Sequence, residues 1–292
     1  MATDARRAFL EELIDDAGLF PPASLSMEAA IQQHTASRAG SHAWMLGRFI
    51  CPAERLPELA GRLESLDRWR VSLLLDAAAL DAGLEAGAAF LERERGRVEV
   101  ELVETKLPST DAASVGDLLE WVDGVGLGGA LPFLEVEPGP GLDDALGAIA
   151  EYAAGAKLRC GGATAELFPS PAGVAAFLDG CRRLGLRCKA TAGLHHPFRH
   201  VDPETGLVHH GFVNLVGAAV LAREHDLSPD EIEAIVAEED PRAFELSADR
   251  FRWRELDAGA SAVEEARRSL FFAYGSCSFG EPVDDLLGLG IL

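Results

Sequence analysis

Ala156-Lys157-Leu158-Arg159-Cys160-Gly161-Gly162 and Arg187-Cys188-Lys189-Ala190-Thr191-Ala192-Gly193 are two short strand-like runs, each delivering a lysine and then a glycine. Between them, Pro171 to Leu184 repeats apolar residues every three or four positions, and Ser170-Pro171 supplies helix-start chemistry. Strand, helix, strand is the unit from which parallel sheets are made. Burying an ammonium ion is costly, so two successive strands with a lysine at matching positions point to a polar chamber rather than an ordinary core.

The same alternation extends outward. Strand-like runs end near Asp16, Pro52, Asp76, Pro108 and Pro138 before the two lysine strands, which end near Gly162 and Pro197. Helical periodicity fills the gaps over 26–37, 53–66, 81–94, 114–122 and 142–153, and continues over 212–225, 228–238 and 263–272. An eighth strand is expected at Ala243 to Leu246. Seven or eight βα repeats in this length predict an α/β fold, a (β/α)8 TIM-type barrel spanning residues 1–292 as one domain, with extra C-terminal helices. No G-x-G-x-x-G follows the first strand, which disfavours a dinucleotide-binding sheet.

Composition narrows the function classes. The net charge of −22 opposes a nucleic-acid partner, because phosphate contact needs clustered Lys and Arg. No apolar run reaches the length of a membrane span, and the N-terminus leads into an acidic amphipathic segment, so a cytoplasmic protein without a membrane partner is expected. Cys51, Cys160, Cys181, Cys188 and Cys277 form no C-x-x-C pair and are read as reduced thiols. A homo-oligomer is among the assemblies this sequence permits.

In such barrels the active site lies at the C-terminal strand ends, and those ends here are charged. Residues two apart on a strand share a face. Lys157 with Arg159, Lys189 with Thr191, Glu135 with Glu137, and Glu104 with Lys106 are therefore expected to point inward together, with Leu158, Phe133 and Cys188 facing the helices. Lys157, Lys189 and Glu135 are candidate catalytic groups. Arg48, Arg159 and Thr191, with the Gly161-Gly162 turn, are candidate binders of a carboxylate or phosphate. The bland alternative is a rim of paired charges without chemistry.

Five of the eight histidines fall between 195 and 210. Arg199 to His209 reads as a hairpin around Asp202-Pro203-Glu204-Thr205-Gly206, placed after strand 7 as a lid. His195 and His196 sit at the strand end as proton-transfer candidates. No resident cofactor is favoured; a divalent Zn, Mn or Mg ion held by His195, His196, Asp15 and Asp16 is the alternative. Cys277, in Gly275 to Gly280, reads as part of a turn packing under the barrel.

Lys157-x-x-x-Gly161, then a helix, then Lys189-x-x-x-Gly193 resembles the two lysine strands of class I aldolases of the deoxyribose-phosphate type; the resemblance covers roughly Lys157 to Arg199. It implies Lys157 as Schiff-base nucleophile and Lys189 as the neighbour that lowers its pKa. The expected function is a lyase or aldolase-like enzyme acting on a small anionic carbonyl metabolite. The alternatives are a metal-dependent lyase, isomerase or hydrolase, and a barrel that binds a metabolite without turnover.

Overall fold

A computed structural model describes residues 4–63, 68–107, 112–122, 124, 127, 129–152 and 154–292. Eight parallel strands close into a barrel in the order β1 (Ile14–Asp16), β2 (Leu46–Pro52), β3 (Trp69–Leu74), β4 (Val98–Lys106), β5 (Leu131–Val136), β6 (Gly155–Arg159), β7 (Cys188–Thr191) and β13 (Phe271–Ser276), which pairs back with β1. This is the predicted (β/α)8 architecture. The expected ends at Pro108, Leu66 and Ala153 lie outside the described residues.

Helices α2 (Met27–Ala39), α4 (Leu80–Arg93), α5 (Ala112–Val122), α6 (Leu142–Ala150) and α7 (Pro171–Leu184) fill gaps between strands. Local chemistry sets the ends of α7. The Ser170 hydroxyl accepts from the Gly173 amide at 3.1 Å, Pro171 occupies the first turn, and Gly185 leaves in the left-handed conformation. The segment expected as a helix over 53–66 is a short 3-10 turn followed by α3 (Leu56–Ala60).

The eighth strand is a correction. Phe244–Leu246 is a strand (β10), but it belongs to a separate antiparallel sheet with β11 (Arg250–Trp253) and β12 (Leu256–Gly259). Phe251 of that sheet stacks on Phe9 of α1 (Ala5–Leu10), with ring centroids 5.0 Å apart. It also lies where a Cβ on Gly217 would stand, in α8 (Phe212–His225). The barrel is closed instead by Phe271–Ser276, directly after α10 (Ala260–Ser269). Arg267 of α10 secures this seam from below, donating to the carbonyls of Phe9 and Glu11 at 3.0 Å and to those of Phe271 and Phe272.

The hairpin after β7 is present as β8 (His200–Val201) paired with β9 (Val208–His209). Asp202 holds its turn, accepting from the Glu204 and Thr205 amides, and Gly206 takes φ +72°. The His209 ring packs on Phe168 and His210 Nε2 donates to the Pro169 carbonyl at 2.7 Å, so the hairpin docks on the connection between β6 and α7. Two helices complete the fold, α9 (Pro229–Val236) and α11 (Gly280–Gly288). No helix among the described residues is long and apolar enough to cross a membrane.

Candidate active site

The barrel interior holds a continuous chain of opposite charges. Asp15 Oδ2 lies 2.5 Å from Lys189 Nζ, which lies 2.6 Å from Glu104 Oε1. Glu104 Oε2 is 3.2 Å from Lys157 Nζ, which is 3.0 Å from Glu135 Oε2. Glu135 Oε1 then meets Arg159 Nε at 3.2 Å. Three carboxylates thus face three cations. Ser72 donates a further hydrogen bond to Glu104.

Strand parity and register explain the chain. Lys157 and Lys189 are partners across β6 and β7, and Glu135 is the partner of Lys157 on β5. Period two brings Arg159 and Thr191 to the same face one step nearer the mouth. The same rule corrects the expectation for Phe133. Two residues before Glu135, it also points inward, with its ring 5.8 Å from Lys189 Nζ and 5.6 Å from the Phe272 ring. Leu158 and Cys188 face the helices as expected and join the apolar core.

Burial falls along the chain towards the mouth. The side chains of Lys189, Glu104 and Lys157 are almost fully buried, Glu135 is 13% exposed and Arg159 is 45% exposed. Burial alone would neutralise these groups, but pairing opposes it. Burial pushes the Lys189 ammonium down, and Asp15 and Glu104 outweigh it, so its pKa is raised and it is a fixed cation. Burial pushes Glu104 up, and Lys189, Lys157 and the Ser72 hydroxyl hold it far below the usual carboxylate range. Glu135 is likewise held low, against burial, by Lys157 and Arg159.

Other expected site residues occupy different places. Arg48, near the start of β2, is buried below the chain, 2.7 Å from Glu101 and 3.6 Å from Asp15, with its guanidinium over the Phe272 ring. Asp16 diverges from Asp15. It turns towards α2, where Oδ2 meets His34 Nδ1 at 2.9 Å. Lys106 and Glu137 pair with each other at the exposed rim, outside the chamber. Gly161 is needed for packing: a Cβ there would stand 2.9 Å from Gly193 Cα, where the β6 and β7 loops touch. A Cβ on Gly162 would meet the Leu167 side chain.

His195 and His196 pair with acids one turn apart on α11. His195 Nδ1 is 2.8 Å from Glu281 and His196 Nδ1 is 2.6 Å from Asp285. The structure does not gather them with Asp15 and Asp16. Among the described residues, no group of three or more His, Cys, Asp or Glu side chains is arranged to hold a metal ion.

Three participants lie outside the expected catalytic and binding set. Glu104, expected to point inward with Lys106, is the central link of the chain. Ser72 has no motif. Cys277 stands at the mouth, not under the barrel, with Sγ 3.6 Å from His195 Nε2. At the opposite end of the barrel a cleft of about 250 Å3 is lined by arginines. These are already engaged: Arg70 binds Glu12 and Glu101, Arg7 binds Glu11, and Arg38 donates to the Arg68 carbonyl.

Comparison of the chain with protein-family models, curated proteins and solved structures gives no match in any of the three. The reading of the site therefore rests on its own geometry.

Proposed function

We propose that the barrel mouth is the active site of a lyase or aldolase-like enzyme acting on a small anionic carbonyl compound. The observation that carries this reading is the charge chain itself, buried at Lys189 and open at Arg159. An ion network built only for stability gains little from presenting a half-exposed guanidinium at the mouth of the chamber. Arginine matches carboxylate and phosphate with a planar fork of donors.

The chain suggests an order of events. An incoming anion competes with Glu135 for Arg159. Losing that cation, the Glu135 carboxylate becomes more basic and accepts the proton of Lys157, 3.0 Å away. The neutral Lys157 amine attacks the substrate carbonyl carbon. A C–N bond forms, and the carbonyl oxygen leaves as water carrying two protons. Lys189, fixed as a cation by Asp15 and Glu104, serves electrostatically and is not the nucleophile. Glu104 stands between the two ammonium groups, so Lys189 acts on Lys157 through that carboxylate.

The net charge of −22 supports a small-molecule partner rather than a nucleic acid. Five free thiols support a reducing, cytoplasmic setting. The test is borohydride trapping with a panel of small aldehydes and keto acids. The expected product is one reduced adduct on the Lys157 peptide, absent from Lys157→Ala. Turnover of an identified substrate by Lys157→Ala would remove the lysine from the mechanism. Binding of such compounds without adduct or turnover would make the barrel a metabolite receptor.

A further inference from the structure

Cys277 lies one residue beyond β13, the strand that closes the barrel. Its side chain is not alone. Sγ is 3.6 Å from His195 Nε2 and 3.9 Å from Nδ1, and His195 Nδ1 is 2.8 Å from Glu281 Oε2. The three residues come from the loop after β7, the turn after β13 and the first turn of α11, so they meet only across the closing seam. Helix α11 starts at Gly280, which brings its positive end close to Cys277 in the chain.

Thiol, imidazole and carboxylate in this order match the roles of nucleophile, base and orienting group. The Glu281 carboxylate fixes the tautomer that carries hydrogen on Nδ1 and leaves Nε2, the nitrogen nearer the sulfur, as acceptor. Burial pushes the Cys277 thiol above its ordinary value. The resting group is therefore a thiol, and a base within reach is what it needs. The other four cysteines are fully buried at 0% exposure, whereas Cys277 retains 6%.

We infer that Cys277, His195 and Glu281 form a thiol nucleophile centre at the rim of the barrel mouth, taking activated acyl compounds of the ester or thioester class. Sγ bonds to the acyl carbon while the thiol proton passes to His195 Nε2. Collapse of the tetrahedral adduct breaks the bond to the leaving oxygen or sulfur, which takes that proton. Water then attacks the S-acyl group, giving a proton to His195. The carboxylic acid leaves, and the proton returns to the sulfur. Glu281 is a positioning residue. This centre does not rest on lysine chemistry, and its covalent product falls on a different peptide from a Lys157 adduct, so the two proposals fail separately.

The experiment uses the full chain and p-nitrophenyl acetate as probe. The expected result is a burst of one equivalent of p-nitrophenol, with one acetyl group on the Cys277 peptide. His195→Gln slows the burst about 100-fold, the lower end of what a positioned base contributes. Glu281→Ala slows it less, and Glu281→Asp restores it, which a merely structural role would not do. Wild-type protein, which needs no refolding control, should also lose the burst after iodoacetamide, with Cys277 alkylated before the other four cysteines. Acetylation elsewhere, or an unchanged Cys277 rate in folded His195→Gln, overturns the assignment.

Discussion

Replacing Lys189 by methionine tests the charge chain at its deepest point. Methionine keeps much of the apolar stem and removes the ammonium, which lies 2.5 Å from Asp15 and 2.6 Å from Glu104. Breaking a buried pair by removing one partner costs about 3–5 kcal/mol, because the remaining charge stays buried. Both carboxylates keep a partner here. Asp15 retains the Arg48 amide at 2.8 Å, and Glu104 retains Lys157 and Ser72. The cost is therefore expected near the lower end, about 3 kcal/mol at pH 7. In thermal unfolding of a 292-residue chain that is a loss of roughly 5 °C.

The pH dependence is more diagnostic than the size. In the wild type Glu104 is held below its unfolded value. It contributes stability above about pH 4.3, lost as pH falls towards its folded pKa. Lys189→Met removes the largest of the lowering influences, while Lys157 and Ser72 still oppose burial. The folded pKa therefore rises towards the unfolded one, and the stability that depends on ionised Glu104 shrinks. The gap between the two proteins, measured by urea unfolding with tryptophan fluorescence, should be full at pH 7 and shrink below about pH 4.3, where the wild type loses the contribution of Glu104. Adding Glu104→Gln should recover part of the loss, as expected for groups in one network. A gap below about 1 kcal/mol that does not change with pH would refute the buried chain, since it is what an exposed pair gives.

Three further outcomes follow from individual contacts. Gly155→Ala should cost about 1–3 kcal/mol in urea unfolding, because the added Cβ stands 2.3 Å from the Phe133 ring inside the barrel. His210, lowered to about 4 by burial, binds a proton in the unfolded chain before the folded one. Stability should therefore fall as pH drops from about 6.5 to about 4, and His210→Gln should flatten that limb. Arg159→Met should leave thermal stability nearly unchanged in buffer, since the side chain is 45% exposed. Small keto-acid anions are expected to stabilise the wild type in a thermal-shift titration, and Arg159→Met should abolish that stabilisation.

The first seven barrel strands were legible because each is a short run with period-two or continuous apolar character, closed by Asp, Gly or Pro. Parity then sufficed to put Lys157, Arg159, Lys189 and Thr191 on one inner face. It should also have placed Phe133 beside Glu135. What parity cannot supply is height. Asp15 and Lys189 are 174 residues apart, Glu104 and Lys189 are 85 apart, and their meeting depends on the stagger of strands around the barrel.

The seam shows how one misassigned strand propagates. Leu270-Phe271-Phe272-Ala273-Tyr274 follows α10 with no Gly or Pro to stop the helix, so the helix is expected to run on to Phe272. The chain turns instead at Leu270, whose φ of −127° and ψ of −71° leave the helical region. With the eighth strand expected at Ala243 to Leu246, nothing in the sequence places residues 275–280 at the mouth. The true register pairs Gly275 with Asp15 on one side and Thr191 on the other. Thr191 ends β7 and Asp15 is one residue short of the end of β1, so Cys277, two residues beyond Gly275, emerges at the mouth. There the loop after β7 brings in His195. A thiol without a local base thus acquires one 82 residues away, through the register of the closing strand alone.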